Sequence, residues 1–71
     1  MTMRIIAKSE EMQRARIARG WNRVQLAAKA GVTAQSISRI EKGENAGPAT
    51  AKKISDALGI PVDELFTINA K

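Results

Sequence analysis

The stretch Arg23-Val-Gln-Leu-Ala-Ala-Lys-Ala-Gly-Val-Thr-Ala-Gln-Ser-Ile-Ser-Arg-Ile-Glu-Lys42 decides how the chain is read. It divides at Gly31-Val32-Thr33 into two short helical pieces. The first opens on Asn22, and Gln25 follows three residues later, the spacing of a reciprocal N-terminal cap. Leu26, Ala27 and Ala30 give it an inner face. The second piece opens on Thr33, another capping residue. Ile37 and Ile40, three apart, mark its buried side. Ala27 is small enough for the two helices to cross closely. Gly31 supplies the left-handed backbone that a sharp turn requires, and Val32 fills the space beneath it.

The outer face of the second piece follows from geometry. With Ile37 and Ile40 inward, a rotation of about 100° per residue turns Gln35 and Lys42 nearly opposite. Ser38 and Arg39 flank them, and Ala34 sits at the exposed first turn. An amide matches adenine N6 and N7 in the major groove, and a guanidinium matches guanine O6 and N7. Gln35 and Arg39 lie one turn apart, placed to address neighbouring base pairs. Each alone is an ordinary exposed polar residue. Their position on a helix set by such a turn is what favours nucleic acid.

Outward from this core, the remaining glycines cut the chain into further helix-sized pieces. A first helix is predicted from Ser9 as cap to Arg19, with Glu10 and Glu11 at its positive end and Gly20 as its stop. Met12 and Ala15 lie on one face, but Arg16 and Arg19 share that side and must either snorkel or find a carboxylate. Glu44-Asn45-Ala46-Gly47 reads as a loop. Pro48 suits the first position of a fourth helix, with Ala51, Ile54, Ala57 and Leu58 inward and Gly59 at its end. A last short helix is predicted over Val62 to Phe66. Met3 to Ala7 and Phe66 to Asn69 have β-branched content and few helix signals and are predicted to pair as a small antiparallel ribbon, with the Ile5 and Ile68 amides protected.

Composition narrows the function classes. Seventy-one residues make one domain. Cysteine and histidine are both absent, which excludes disulfides, zinc sites built on those ligands and His-based catalytic triads. No nucleophile–base pair, phosphate-cradling glycine loop or carboxylate cluster with metal spacing occurs. No enzymatic activity, no cofactor and no metal are therefore expected. No apolar run approaches the roughly 20 residues of a membrane helix, the N-terminus lacks a secretory signal, and a cytoplasmic location is expected. Net charge is +5, unevenly placed. Residues 1–42 hold nine of the twelve basic side chains against three acids, and residues 43–71 hold three against four. A positive half joined to a near-neutral half suggests a surface for a polyanion. Trp21 and Phe66 are the only aromatics, which argues against base stacking on single strands.

With these residues in place, 9–66 resembles the helix-turn-helix domain of the XRE family, the lambda and 434 repressor and Cro-like (C1-type) DNA-binding proteins. The matching marks are Arg16, Gly20, Leu26-Ala27, Ala30-Gly31-Val32, Ser36-Ile37, Ile40-Glu41-Lys42-Gly43, Pro48, Ala57-Leu58-Gly59 and Leu65. The resemblance implies an all-α, compact five-helix bundle, here with a minor two-stranded ribbon joining the ends. It divides the chain into an extended arm (1–8), the helix-turn-helix domain (9–66) and a tail (67–71). It places the third helix in the major groove and the start of the second against a phosphate. By position, Ala34, Gln35 and Arg39 match base-reading residues, with Ser38 on the same face. Asn22, Arg23, Thr33, Ser36 and Lys42 match or adjoin positions that hold the DNA backbone. A helix N-terminus with unpaired N–H groups is itself an anion site, which supports Asn22 and Arg23 independently. Arg16 and Glu41 match a structural ion pair that bridges the first helix to the end of the third. The loop 44–47 departs from the family, lacking the basic residues that several relatives carry there.

A recognition helix of about ten residues is roughly 15 Å long and spans about four or five base pairs. At about 1–3 kcal/mol per mismatched pair, one such module discriminates poorly among genomic sites. Two modules about 34 Å apart on one face of the duplex solve this, so a homodimer is expected. Its surface is predicted at Pro61, Val62, Phe66 and Ile68, with Ile17 as a second apolar candidate and Leu65 assigned to the core. The expected function is a sequence-specific double-stranded DNA-binding transcriptional regulator, a repressor on a palindromic operator. The competing readings are an antitoxin-type autorepressor that also binds a toxin, and a protein-interaction module of the same fold without DNA binding. A protein partner, toxin or RNA polymerase, is left unspecified.

Overall fold

Five helices are framed by two strands in the order β1 (Met3–Ala7), α1 (Ser9–Ala18), α2 (Arg23–Ala30), α3 (Ala34–Glu41), α4 (Pro48–Leu58), α5 (Val62–Leu65) and β2 (Phe66–Ala70). This is a computed structural model, and it describes residues 3–70. Met1, Thr2 and Lys71, the outer ends of the expected arm and tail, lie outside the described residues. No helix among the described residues is long and apolar enough to cross a membrane.

The helix starts show which local signals prevailed. Asn22 and Gln25 form the reciprocal cap of α2, and Thr33 caps α3. Pro48 opens α4, as its fixed backbone angle favours. The first helix differs from expectation. Lys8 precedes it without a side-chain cap, and Ser9 is already helical. The Ser9 hydroxyl instead donates to the Glu41 carbonyl at 2.7 Å. That carbonyl lies in the last turn of α3, where intrahelical partners run out. A long-range tie between two helices thus replaces a local cap. At the other end, α5 stops at Leu65 rather than Phe66, because the Lys8 N–H takes the Leu65 carbonyl at 2.9 Å and draws the chain into the ladder.

Met12, Leu26, Ile37, Ile54, Leu65 and Phe66 form the fully buried centre, lined further by Ile5, Ala7, Ala27, Ala30, Ile40, Ala46, Ala51 and Leu58. Every helix and the ribbon contribute to it. Phe66 corrects the predicted pairing surface: at 1% exposure it completes the core of its own chain and has no surface left to offer. Its register explains this. The strands pair antiparallel with Ile5 opposite Ile68 and Ala7 opposite Phe66. Those four residues share the face turned toward the helices, because side chains alternate along a strand.

The ribbon forms, but the amides it protects are not those expected. Antiparallel pairs alternate between hydrogen-bonded and non-hydrogen-bonded. The Lys8–Leu65 bond therefore puts the ladder bonds on Ile6/Thr67 and Arg4/Asn69. Ile5 and Ile68 direct their backbone groups away from each other. Those of Ile5 meet the loop after α3: its N–H donates to Asn45 Oδ1 at 2.7 Å, and its carbonyl accepts from the Ala46 N–H at 2.8 Å. The loop without basic residues is thereby fastened to β1.

Candidate nucleic-acid interface

The turn between α2 and α3 is built as its residue types require. Gly31 adopts φ +74°, the left-handed region that favours glycine. The next N–H, of Val32, donates back to the Ala27 carbonyl at 3.0 Å. Ala27 is buried where the two helices meet. Ile37 and Ile40 are sealed beneath α3 and fix its rotation.

That rotation leaves Gln35, Arg39 and Lys42 exposed, with Ala34 and Ser38 partly so. Among the described residues, the side chains of Gln35, Ser38, Arg39 and Lys42 make no hydrogen bond or ion pair. The face carries donors and acceptors that the fold does not use. A shallow groove runs beside it toward the start of α4, lined by Ser36, Arg39, Asn45 and Thr50 among others.

The residues assigned to the DNA backbone divide into two kinds. Asn22 Oδ1 accepts the Gln25 N–H at 2.8 Å, and Gln25 Oε1 accepts the Asn22 N–H at 2.8 Å. Capping therefore occupies Asn22 Oδ1 and the Gln25 N–H and leaves the Arg23 and Val24 amides of the first turn of α2 as the groups for an anion. Thr33 Oγ1 accepts the Ser36 N–H at 3.1 Å and donates to the Ser36 hydroxyl at 2.9 Å, so these two expected phosphate residues sit together at the α3 cap. Lys42 stands exposed at the other end of α3.

Arg23, also assigned to the DNA backbone, is partly engaged within the chain. Its Nε donates to Glu41 Oε1 at 3.0 Å. Its side chain is 46% exposed, and its two terminal nitrogens have no partner among the described residues. Glu41 also receives Arg16, whose Nε donates to Oε2 at 2.9 Å and whose Nη1 donates to the Trp21 carbonyl at 3.0 Å. The expected Arg16–Glu41 pair is thus present and is one half of a larger cluster. Glu41 is 1% exposed at its side chain, so two guanidiniums, from α1 and α2, hold one buried carboxylate on α3. Removing Glu41 or the largely buried Arg16 costs about 3–5 kcal/mol, because a buried charge is left uncompensated.

The other arginine on the inner side of the first helix finds a carbonyl instead of a carboxylate. Arg19 Nη2 donates to Leu58 O at 2.7 Å, at the C-terminus of α4. Its guanidinium also lies 5.4 Å from the centre of the Trp21 ring, and the Lys29 ammonium lies 5.9 Å from it. A Cβ on Gly59 would come within 3.1 Å of Arg19 Nη2, and Gly59 itself has φ +69°. The positive φ is the constraint at Gly59; a side chain there would also require the Arg19 guanidinium to give way by a few tenths of an ångström. Sequence reasoning missed three of these contacts: Arg23 with Glu41, Ser9 with the Glu41 carbonyl, and Asn45 with Ile5. Each spans 18 residues or more, and only charge complementarity at Arg23 gave any signal. Of the residues expected to pair two copies, Pro61 and Ile68 are exposed and Val62 is partly so; Ile17 is exposed.

Comparison with known proteins agrees with this geometry. A helix-turn-helix family model matches residues 12–65. The HTH-type transcriptional repressor RghR of Bacillus subtilis (strain 168) is 50% identical over 44 residues, covering 59% of this chain and 33% of that protein. The chain thus spans about a third of the length of that relative. Among solved structures, the transcriptional regulator VanUg superposes with a TM-score of 0.69 over 100% of this chain and 92% of its own, at 17% identity; that likeness is one of fold. The chain belongs to the helix-turn-helix family, of the XRE, lambda and 434 repressor-like type that its sequence resembles.

Proposed function

We propose that this protein is a sequence-specific double-stranded DNA-binding transcriptional regulator that represses by occupying a palindromic operator as a homodimer. The observation that carries this reading is the outer face of α3. Gln35 and Arg39 stand exposed and Ser38 partly so, without a side-chain partner among the described residues, on a helix whose rotation is fixed from beneath. In this reading α3 enters the major groove. Gln35 addresses adenine and Arg39 guanine, Ser38 adds a hydroxyl, and Ala34 offers an apolar contact to a thymine methyl. The amides at the start of α2, with Asn22 beside them, take one phosphate. The terminal nitrogens of Arg23 take a second contact while its Nε stays on Glu41. Thr33, Ser36 and Lys42 hold the backbone at the two ends of α3.

The repressor name of the Bacillus subtilis relative, a third of which is matched here, supports a role in repression. The concentration of basic residues in 1–42 supports a polyanionic partner. Duplexes selected from a random pool by the full chain test the reading. A consensus with twofold symmetry and two half-sites about one helical turn apart is expected. Selection of no duplex over the starting pool would overturn it.

A further inference from the structure

The two outer edges of the ribbon are not alike. The β1 edge is closed, since both outward backbone groups of Ile5 are bonded to the loop at Asn45 and Ala46. The β2 edge is open at its middle. The Phe66 N–H is taken by the Val62 carbonyl. The N–H and C=O of Ile68 point the same way by alternation and have no backbone partner among the described residues. Proteins commonly guard such an edge with a charge or a proline. Phe66-Thr67-Ile68-Asn69-Ala70 contains neither. The Ile68 side chain adds an apolar group that is 45% exposed, although it lies on the face turned toward the core.

We propose that the β2 edge pairs with β2 of a second copy of this chain, antiparallel across a twofold axis at Ile68, joining two ribbons into one four-stranded sheet. The strand suits itself in that register. Each Ile68 N–H donates to the Ile68 carbonyl of the other copy. Two residues along, each Ala70 N–H meets the other copy's Phe66 carbonyl. The one edge donor without a role is the Phe66 N–H, which is already committed to Val62. On one face the two Ile68 side chains adjoin. On the other, Thr67 stands opposite Asn69 of the second copy. No like charges oppose each other within the paired segment, so self-pairing carries no repulsion. The inference rests on the dimer of the functional reading and specifies the surface that forms it. It moves the contact from an apolar side-chain patch to a backbone edge.

The test uses the full chain without DNA, so its result is independent of whether an operator is found. Sedimentation equilibrium gives the mass, and hydrogen exchange followed residue by residue across a dilution series gives the surface. The expected result is a monomer–dimer equilibrium in which the Ile68 amide is protected at high concentration and exchanges on dilution, while the Ile6 and Thr67 amides stay protected throughout. Ile68→Pro removes the edge donor without removing a bond to β1, and Ile68→Lys sets two like charges side by side; each should abolish the dimer. If circular dichroism shows that Ile68→Pro has lost its helices, Ile68→Lys and the wild-type exchange pattern decide. A monomer at every concentration, a dimer whose Ile68 amide exchanges freely, or a dimer retained in a folded Ile68 variant would overturn the proposal.

Discussion

The two sides of α3 carry similar chemistry and put it to opposite uses. At the inner end, Glu41 is buried and its two carboxylate oxygens are met by Arg16 and Arg23, while its carbonyl accepts from Ser9. On the outer side, Gln35 and Arg39 are exposed and make no side-chain bond among the described residues. A buried polar group must be satisfied internally or it costs stability. An exposed one that the fold leaves unused remains available for a partner. The contrast separates residues that set the pose of α3 from residues that use it, and substitutions should separate them too.

The largest effect is expected at the inner end. Glu41→Gln leaves two guanidiniums without their anion and should lower unfolding free energy by about 3–5 kcal/mol, measured by denaturant titration. DNA affinity should fall with the folded fraction. Arg39→Ala comes next, and its effect lies on the other side of the division. It should cost about 1–3 kcal/mol of binding at one position of each half-site, with the melting temperature unchanged. Arg23→Ala tests the boundary, since that residue touches Glu41 and also reaches solvent. Its half-exposed pair is screened, so stability should fall by no more than about 1 kcal/mol, while binding to all duplexes weakens. The smallest and most uniform effect is expected for Lys42→Ala. It should leave base preference intact and flatten the logarithmic salt dependence of binding by about one unit.

The parts of this architecture that could be read from the sequence are local. Asn22 with Gln25, Thr33, Gly31 and Pro48 act within a few residues, and backbone geometry alone gives each a reason. The rotation of α3 was equally legible, because Ile37 and Ile40 determine which side turns inward. Contacts that depend on how distant elements dock were harder to see. Ser9 has the residue type of a cap, but the carbonyl it serves lies 32 residues away. Arg23 matches a phosphate position, and its positive charge was the one signal that it also meets Glu41, 18 residues away. Phe66 read as a surface residue because it is an apolar residue of the near-neutral half 43–71, yet strand register turns it inward opposite Ala7. The open edge of β2 was hidden for the same reason, since it depends on which strand residues are hydrogen-bonded.

The central claim is that the outer face of α3 reads bases from a pose the core holds fixed. Its most direct measurement is the base preference of the wild type and of Arg39→Ala at every position of the selected half-site, with melting recorded on both. The account predicts that preference disappears at one position of each half-site, that the other positions keep theirs, and that melting does not move. A uniform loss of affinity across all sequences, or a fall in melting temperature that accounts for the loss, would contradict it.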